Sequence, residues 1–303
     1  DRCSADEMLE STTFHPAYSY EDFIEGLTAN ATSNGVSYDH EPGVFKSIVE
    51  RIEDNTQNPG SRVPPYLLLI DEINRGNLPE ILGELVTQLE WDKRGGQPGA
   101  VPANLAHSAE SGFTVPSNLY LIGTMNTADQ SIALIDAAIR RRFGFIQCNP
   151  DIAFAANRMG YGSFTQSEDS WKEDAHADLD GSTSLARRLR AGTVLAVAKI
   201  NMKLLEETSE ARGKRIGHTY VLGDKRGEGQ LGVESIRNLW LHKLFPLLEE
   251  FFYNDFRTLR EVVFENTSSL FDEQGFKSLT AEELAGALQT FVQTEEARPI
   301  QES

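Results

Sequence analysis

Two short, uninterrupted apolar runs constrain the fold of this chain more than any other feature of its sequence. They occupy residues 66–70 (YLLLI) and 119–123 (LYLIG). Strands that are apolar at every position are typical of a parallel sheet whose two faces are both covered by helices. Each run is followed by apolar residues at helical spacing, first over residues 81–89 and then over residues 132–139. Two strand–turn–helix units predict an α/β fold with a parallel sheet flanked by helices.

Polar side chains follow both runs. Asp71 and Glu72 come directly after the first, and Asn126 comes shortly after the second. In open α/β sheets, ligands bind at the carboxyl ends of the strands. There, one carboxylate can hold Mg²⁺ while its neighbour orients and deprotonates a water that attacks a terminal phosphate. The first run and its acids have the form of a Walker B motif, although acids that merely end a buried strand in solvent explain the pair alone equally well.

Two further residues near these strand ends have alternative interpretations. The neutral amide of Asn126 can hydrogen-bond an attacking water or a terminal phosphate without changing the local charge. The same side chain could instead cap the helix that follows. Arg75 could act at an interface between subunits, or it could form an ion pair with Glu72 or Glu80.

Three consecutive arginines, Arg140, Arg141 and Arg142, end the second predicted helix. Cations complement the dipole at the carboxyl end of a helix, which explains one or two of them. A guanidinium that reaches a phosphate in a neighbouring subunit would instead stabilise charge in the transition state, with an effect of ~10³ to 10⁵ on the rate. Three in succession exceed what the dipole requires, so this run is a candidate for the second role.

The overall charge and the apolar content limit the class of protein. The 303 residues include 28 Lys and Arg against 46 Asp and Glu, which gives a formal charge of −18. The surface as a whole therefore cannot clamp a polyanion, and any contact with nucleic acid must be local. The apolar runs are far shorter than the ~20 residues that cross a bilayer, so no membrane span is predicted. Two cysteines, Cys3 and Cys148, are too few for a disulfide framework, which favours the cytoplasm.

The second half of the chain reads as mainly helical. Apolar residues recur at helical spacing over residues 185–205 and again over residues 236–251, where Pro246 is expected to cause a kink. Thr280 and Glu283 have the spacing of a capping box that opens a last helix. We expect an α/β core over residues 1–150, a smaller helical lid domain over 151–264 and an acidic C-terminal tail over 265–303.

Six segments together resemble the McrB-type family of AAA+ proteins, and they follow one another in the order of that family. They are FHPAYSYEDFIEG (14–26), DEINRGN (71–77), GTMNTADQS (123–131), AAIRRRFGF (137–145), RIGHTYVLGD (215–224) and LFPLLEEFFYND (244–255). The resemblance runs from about Thr13 to Asp255. It implies an AAA+ P-loop NTPase-like core followed by a helical lid domain.

The resemblance also implies roles for individual residues. Asp71 would hold Mg²⁺ and nucleotide, Glu72 would be the catalytic carboxylate, and Asn126 would be the sensor residue that contacts nucleotide and assists catalysis. Arg141 and Arg142 would act on nucleotide in the neighbouring subunit. Asp129 and His218 would contact nucleotide, although a lone histidine such as His218 is also a common structural hydrogen-bonding residue.

The implied function is a ring-forming nucleoside triphosphatase, a hexamer in the family. It would hydrolyse GTP, or ATP as in related branches, and drive DNA translocation for a McrC-like nuclease subunit in modification-dependent restriction. Two alternatives stay open: a non-catalytic ring subunit, and a remodelling ATPase of the MoxR or dynein-related kind. The segments YSYEDFIEG and MNTADQS favour the McrB-type interpretation over the last of these.

The sequence departs from the family pattern at two points. Gln130 stands where the signature MNTADRS has an arginine, so a role that depends on that charge is lost. A phosphate-binding GxxxxGK[ST] loop does not occur in these 303 residues. In the family this loop precedes the segment that resembles residues 14–26, so its expected place is upstream of Asp1. These residues by themselves are therefore expected to bind nucleotide poorly and to hydrolyse it hardly at all.

Overall fold

A computed structural model describes residues 8–32, 35–56, 64–108, 111–126, 135–162, 170–207, 214–222, 231–253, 255–265, 267–272 and 275–294. The chain forms two compact units, residues 1–146 and 147–303. The first contains a parallel sheet with helices packed on it, and the second is helical, as the sequence predicts. Contacts divide the chain after Ile146, whereas the sequence analysis divides it after Pro150.

The first unit contains seven strands and four α-helices among its described residues. The strands are β1 (Leu9–Thr13), β2 (Glu25–Thr32), β3 (Gly35–Pro42), β4 (Tyr66–Asp71), β5 (Ala103–Asn104), β6 (Ser111–Phe113) and β7 (Leu119–Gly123). The helices are α1 (Tyr20–Phe23), α2 (Val44–Thr56), α3 (Leu78–Leu82) and α4 (Ala137–Arg140). Short 3₁₀ segments occupy Ile73–Arg75, Gly83–Leu89 and Trp91–Lys93.

The two apolar runs form neighbouring strands of one parallel sheet. The strand order is β1-β4-β7, so the run that carries the two acids is the central strand. Tyr66, Leu68 and Ile70 of β4 are buried, and α2 contributes further buried apolar residues to the same core. Parallel registers bring the carboxyl ends of β4 and β7 together, with Ile70 opposite Gly123.

The helix expected after β4 is shorter than its periodicity indicates. Regular α-helix is confined to Leu78–Leu82, and the chain continues as a 3₁₀ segment from Gly83. Gly83 has a φ of 50°, a positive value that glycine adopts more readily than residues with a side chain. The apolar spacing persists through Leu85 and Leu89 because both still face the core. Periodicity therefore identified the buried face but not the change of helix type.

An antiparallel ribbon of β2 and β3 is a feature that the sequence analysis did not predict. Its register runs from Glu25 opposite Pro42 to Thr32 opposite Gly35. Large apolar side chains on it, Leu27, Val36 and Tyr38, are exposed. Because the ribbon buries little of its apolar surface, the burial pattern that identifies a core strand is missing.

The base of this ribbon is fixed by a buried carboxylate. Glu25 is fully buried, and its Oε2 lies 2.8 Å from Lys46 Nζ on α2. Its Oε1 accepts hydrogen bonds from Ser108 N at 2.7 Å and Ser108 Oγ at 2.8 Å. Burial alone would raise the pKa of Glu25, but the hydrogen bonds from Lys46 and Ser108 outweigh it and lower the pKa to about 2.

Replacement of Glu25 by glutamine should destabilise the protein by about 3 kcal/mol at pH 7, because it removes one charge from a buried ion pair. The pKa of Glu25 falls from 4.5 to about 2 on folding. The ionised form therefore stabilises the fold above pH 4.5, and this contribution is lost as the pH falls towards 2. Urea unfolding followed by circular dichroism measures both effects. Glu50 on α2 is exposed, so Glu50→Gln is the matched control. An equal loss in both variants would contradict the assignment.

The described helices of the second unit pack against one long helix and against one another around one core. They are α5 (Ile152–Arg158), α6 (Ser170–Gly181), α7 (Leu185–Glu207), α8 (His218–Leu222), α9 (Val233–Leu239), α10 (Phe245–Phe251), α11 (Phe256–Thr258) and α12 (Ala281–Gln293). A π-helical segment, Trp240–Leu244, stands directly before α10, whose first turn holds Pro246. Proline has no backbone N–H to donate, so the regular α-helical bonding is interrupted near this position. None of the described helices is long and apolar enough to cross a membrane.

Part of the expected acidic tail is packed into this core. The capping box at Thr280 and Glu283 is confirmed, and it opens α12. Leu284, Leu288 and Phe291 of that helix are fully buried against the core of the unit. The excess of acids over residues 265–303 does not indicate this packing, because the acids and the apolar residues lie on different faces of one helix.

Candidate functional site at the carboxyl ends of β4 and β7

The two acids lie on a sharp turn at the end of β4. Asp71 is the last residue of the strand and is exposed. Glu72 has φ of 53° and ψ of 42°, a left-handed conformation that is uncommon for a residue with a side chain. The 3₁₀ segment Ile73–Arg75 follows directly. A conformation of this kind persists only where surrounding bonds hold it, and such sites cluster where function requires a fixed geometry.

Thr124, directly after β7, provides most of those bonds. Its hydroxyl donates to Asp71 Oδ1 and accepts from the backbone N of Glu72 at 3.3 Å. Its backbone oxygen accepts from Ile73 N at 2.9 Å, and its backbone N donates to Ile70 O at 2.9 Å. One threonine therefore contacts both acids and continues the pairing of the two strands beyond their ends. The sequence analysis assigned no role to this residue.

Asn126 lies in the same group of residues. Asn74 Nδ2 donates to the backbone oxygen of Asn126 at 3.3 Å, and Asn126 itself is exposed. The structure thus brings Asp71, Glu72 and Asn126 together at one edge of the sheet. Asp129 and Gln130 lie outside the described residues.

Arg75 forms an ion pair with Glu72, one of the partners that the sequence suggests. Its Nε lies 3.2 Å from Glu72 Oε2. The contact is electrostatic, and within the described part of the chain Glu72 Oε2 is buried without a hydrogen bond. The other carboxylate of the pair, Asp71, keeps its exposed position at the strand end.

The donor set fits Mg²⁺ bound together with a nucleotide. Mg²⁺ is held in proteins by one or two carboxylates, and phosphate oxygens and waters complete its shell. Asp71 supplies such a carboxylate, and Asn74 Oδ1 is a buried acceptor without a hydrogen bond in the described part of the chain. Among the described residues there is no cluster of three His, Cys, Asp or Glu side chains that would hold an ion by itself.

The three arginines at the end of α4 have different environments. Arg142 Nη1 donates to Ala138 O at 2.8 Å, and Arg142 Nε lies 2.9 Å from Glu90 Oε1. Its side chain is only 9% exposed. The guanidinium of Arg140 lies 5.1 Å from the ring centroid of Phe145, whereas Arg141 is exposed. The sequence could not rank Arg141 and Arg142, but the structure distinguishes them by burial.

His218 belongs to the second unit, at the start of α8. Its Nδ1 accepts a hydrogen bond from Asp151 N at 3.1 Å, and its ring packs edge-on against Phe154 at 5.8 Å. A nitrogen that accepts cannot also carry a proton, so the proton of the neutral ring is on Nε2. The structural hydrogen-bonding role left open by the sequence is therefore present.

Known proteins resemble both units. The family described as AAA domain (dynein-related subfamily) matches residues 6–143, and the family described as McrB, alpha-helical lid domain, matches residues 193–260. The chain is 31% identical over 258 residues to the type IV methyl-directed restriction enzyme EcoKMcrB subunit of Escherichia coli K12. That alignment covers 83% of this chain and 48% of the relative.

A second relative also comes from a restriction system. It is the type II restriction enzyme BsuMI component YdiS of Bacillus subtilis 168, 27% identical over 168 residues, which cover 46% of this chain and 47% of the relative. The chain thus spans about half the length of the curated relatives it matches. The matched core and lid, together with the sheet and the helical unit described above, show that the chain belongs to the McrB-type family of AAA+ proteins.

Proposed function

We propose that the complete natural protein is the motor subunit of a restriction complex, which hydrolyses GTP in a hexameric ring to drive DNA translocation for a McrC-like nuclease. The observation that carries the proposal is the junction of β4 and β7, where Asp71, Glu72 and Asn126 are held at one edge of the sheet. The restriction-enzyme names of both relatives support the biological setting. We place the protein in the cytoplasm, where such a complex would meet DNA.

In the proposed mechanism each residue has one task. Asp71 would hold Mg²⁺, which would neutralise charge on the phosphates when bound. Glu72 orients the attacking water and accepts its proton, because a carboxylate within hydrogen-bond reach is a suitable general base. The amide of Asn126 donates to the terminal phosphate or accepts from the water, which fixes the line of attack. For Asp129 and His218, nucleotide contacts are what the resemblance to the family implies.

Arg141 completes the site of the neighbouring subunit. Its exposure leaves the guanidinium able to reach a phosphate across a subunit boundary. Arg142 is buried against Glu90 and α4, so we assign it the task of fixing the helix end that carries Arg141. In the neighbouring site, the Arg141 guanidinium stabilises charge on the phosphoryl group that is transferred.

A second candidate is a remodelling ATPase, which the match to a dynein-related AAA family supports. A third is a ring subunit that completes a neighbouring site without hydrolysing nucleotide. The formal charge of −18 is compatible with all three, because it restricts contact with DNA to a local surface without excluding it.

Nucleotide hydrolysis by the complete natural protein distinguishes these functions. We expect GTP turnover that a McrC-like nuclease subunit stimulates, measured as phosphate release with GTP and with ATP, with and without that subunit. ATP turnover at a rate that the nuclease subunit does not change would favour the remodelling ATPase. No turnover of either nucleotide, with or without the nuclease, would favour the non-catalytic ring subunit. Either of these results contradicts the restriction motor.

A further inference from the structure

Asp71 and Glu72 lie at the turn that ends β4. Their placement depends on Thr124, a residue far away in the sequence. Thr124 is separated from Glu72 by 52 positions and contacts both acids. The Thr124 side chain is a single hydroxyl with one proton and two acceptor lone pairs. It uses the proton for the Asp71 carboxylate and a lone pair for the Glu72 amide.

Each of these two bonds fixes a different degree of freedom. The bond to Asp71 Oδ1 restricts the rotation of that carboxylate. The bond from the Glu72 amide supports a left-handed backbone that is unfavourable for a residue with a side chain. The Thr124 hydroxyl therefore bonds both the candidate metal ligand, Asp71, and the backbone of the candidate base, Glu72.

The main chain of Thr124 pairs the same two segments independently of its side chain. Its N–H and C=O bond Ile70 and Ile73, both at 2.9 Å. These backbone bonds remain in any variant at this position that keeps the strand ends in place. The effect of the hydroxyl can thus be separated experimentally from the effect of strand pairing.

We propose that Thr124 is a positioning residue for nucleotide hydrolysis: its hydroxyl holds the Asp71 carboxylate and the Glu72 backbone in the geometry that the reaction needs. The inference rests on the proposed function for its catalytic consequence. Its structural consequence does not depend on that function. Groups that orient a metal-binding carboxylate in this way typically affect metal affinity or activity by about 10- to 100-fold.

The test compares Thr124→Val with Thr124→Ser in the complete natural protein. Valine keeps the shape of threonine but removes the hydroxyl, whereas serine keeps the hydroxyl. We expect kcat of Thr124→Val to fall by about 10- to 100-fold, with Thr124→Ser close to wild type. The Mg²⁺ concentration that half-saturates binding of a non-hydrolysable GTP analogue should rise in Thr124→Val, and it is measured without any turnover.

Amide hydrogen exchange tests the geometry without reference to catalysis. The amide of Glu72 should exchange about three- to tenfold faster in Thr124→Val, because it loses a side-chain acceptor. The amide of Ile73 bonds the backbone oxygen of Thr124, so its exchange should be unchanged. Faster exchange at both amides would mean that the substitution separates the strand ends, and it would overturn the inference.

The kinetic test and the hydrogen-exchange test together distinguish failure of this inference from failure of the proposed function. If the wild-type protein hydrolyses nucleotide and Thr124→Val has the same kcat, the positioning role is overturned. A loss of kcat that serine fails to restore does the same. If the wild-type protein hydrolyses no nucleotide, the proposed function fails, and unchanged exchange at Glu72 would then overturn the inference by itself.

Discussion

Alanine in place of Arg141 should reduce nucleotide turnover by about 10³-fold or more, with binding of a non-hydrolysable analogue retained. The reason is that the exposed guanidinium would act on charge that develops only in the transition state, in a site formed mainly by the neighbouring subunit. Steady-state phosphate release and analogue titration measure the two quantities. Arg140→Ala is the matched control, since the Arg140 guanidinium lies over Phe145.

Mixed rings determine whether Arg141 acts within its own subunit or on the next one. Arg141→Ala and Glu72→Gln subunits should each be nearly inactive alone. Mixed in equal amounts they should regain part of the turnover, because some interfaces then combine an intact Glu72 with an intact Arg141. No recovery in rings that demonstrably mix would contradict action across the boundary. Arg142→Ala should instead lose turnover together with thermal stability, because Arg142 is buried against Glu90.

Glutamine in place of Glu72 should lower kcat by about 10²- to 10⁴-fold, the range in which a general base contributes. Glutamine keeps the size of the side chain but cannot accept the proton of the attacking water. Nucleotide affinity should stay near the wild-type value, since Asp71 rather than Glu72 is the proposed metal ligand.

Glu80→Gln is the control for Glu72→Gln, because Glu80 is an exposed acid in the first turn of α3. Both variants are compared in kcat and in analogue binding. Equal kcat in Glu72→Gln and in the wild type would remove Glu72 from the mechanism. An equal loss in both variants would indicate an electrostatic effect of the surface rather than a specific base.

The sequence alone contains much of this description. Continuous apolar runs at residues 66–70 and 119–123 predict neighbouring parallel strands, and both lie in one sheet. The polar residues that follow them had to meet at one edge, because parallel strands end on the same side. Capping by Thr280 was likewise readable, since its partner Glu283 is three residues away. These signals are local or periodic, so the order of residues expresses them directly.

Other features depended on tertiary structure. The ribbon of β2 and β3 has few buried residues, so no pattern of buried apolar positions marks it in the sequence. The capping box predicted helix α12 but not its packing into the core, because a charge count ignores the face on which each residue lies. The ranking of Arg141 above Arg142 needed the position of Glu90, which is distant in sequence.

The sequence by itself determined the family, the sheet with its helical partner unit, and the identity of the acids at the strand ends. Only the tertiary structure decided which side chains hold those acids in place. Thr124 and Asn74 each bond a residue 52 positions away. Such bonds form because β4 and β7 lie side by side in the sheet, and the spacing of residues along the chain contains no record of that proximity.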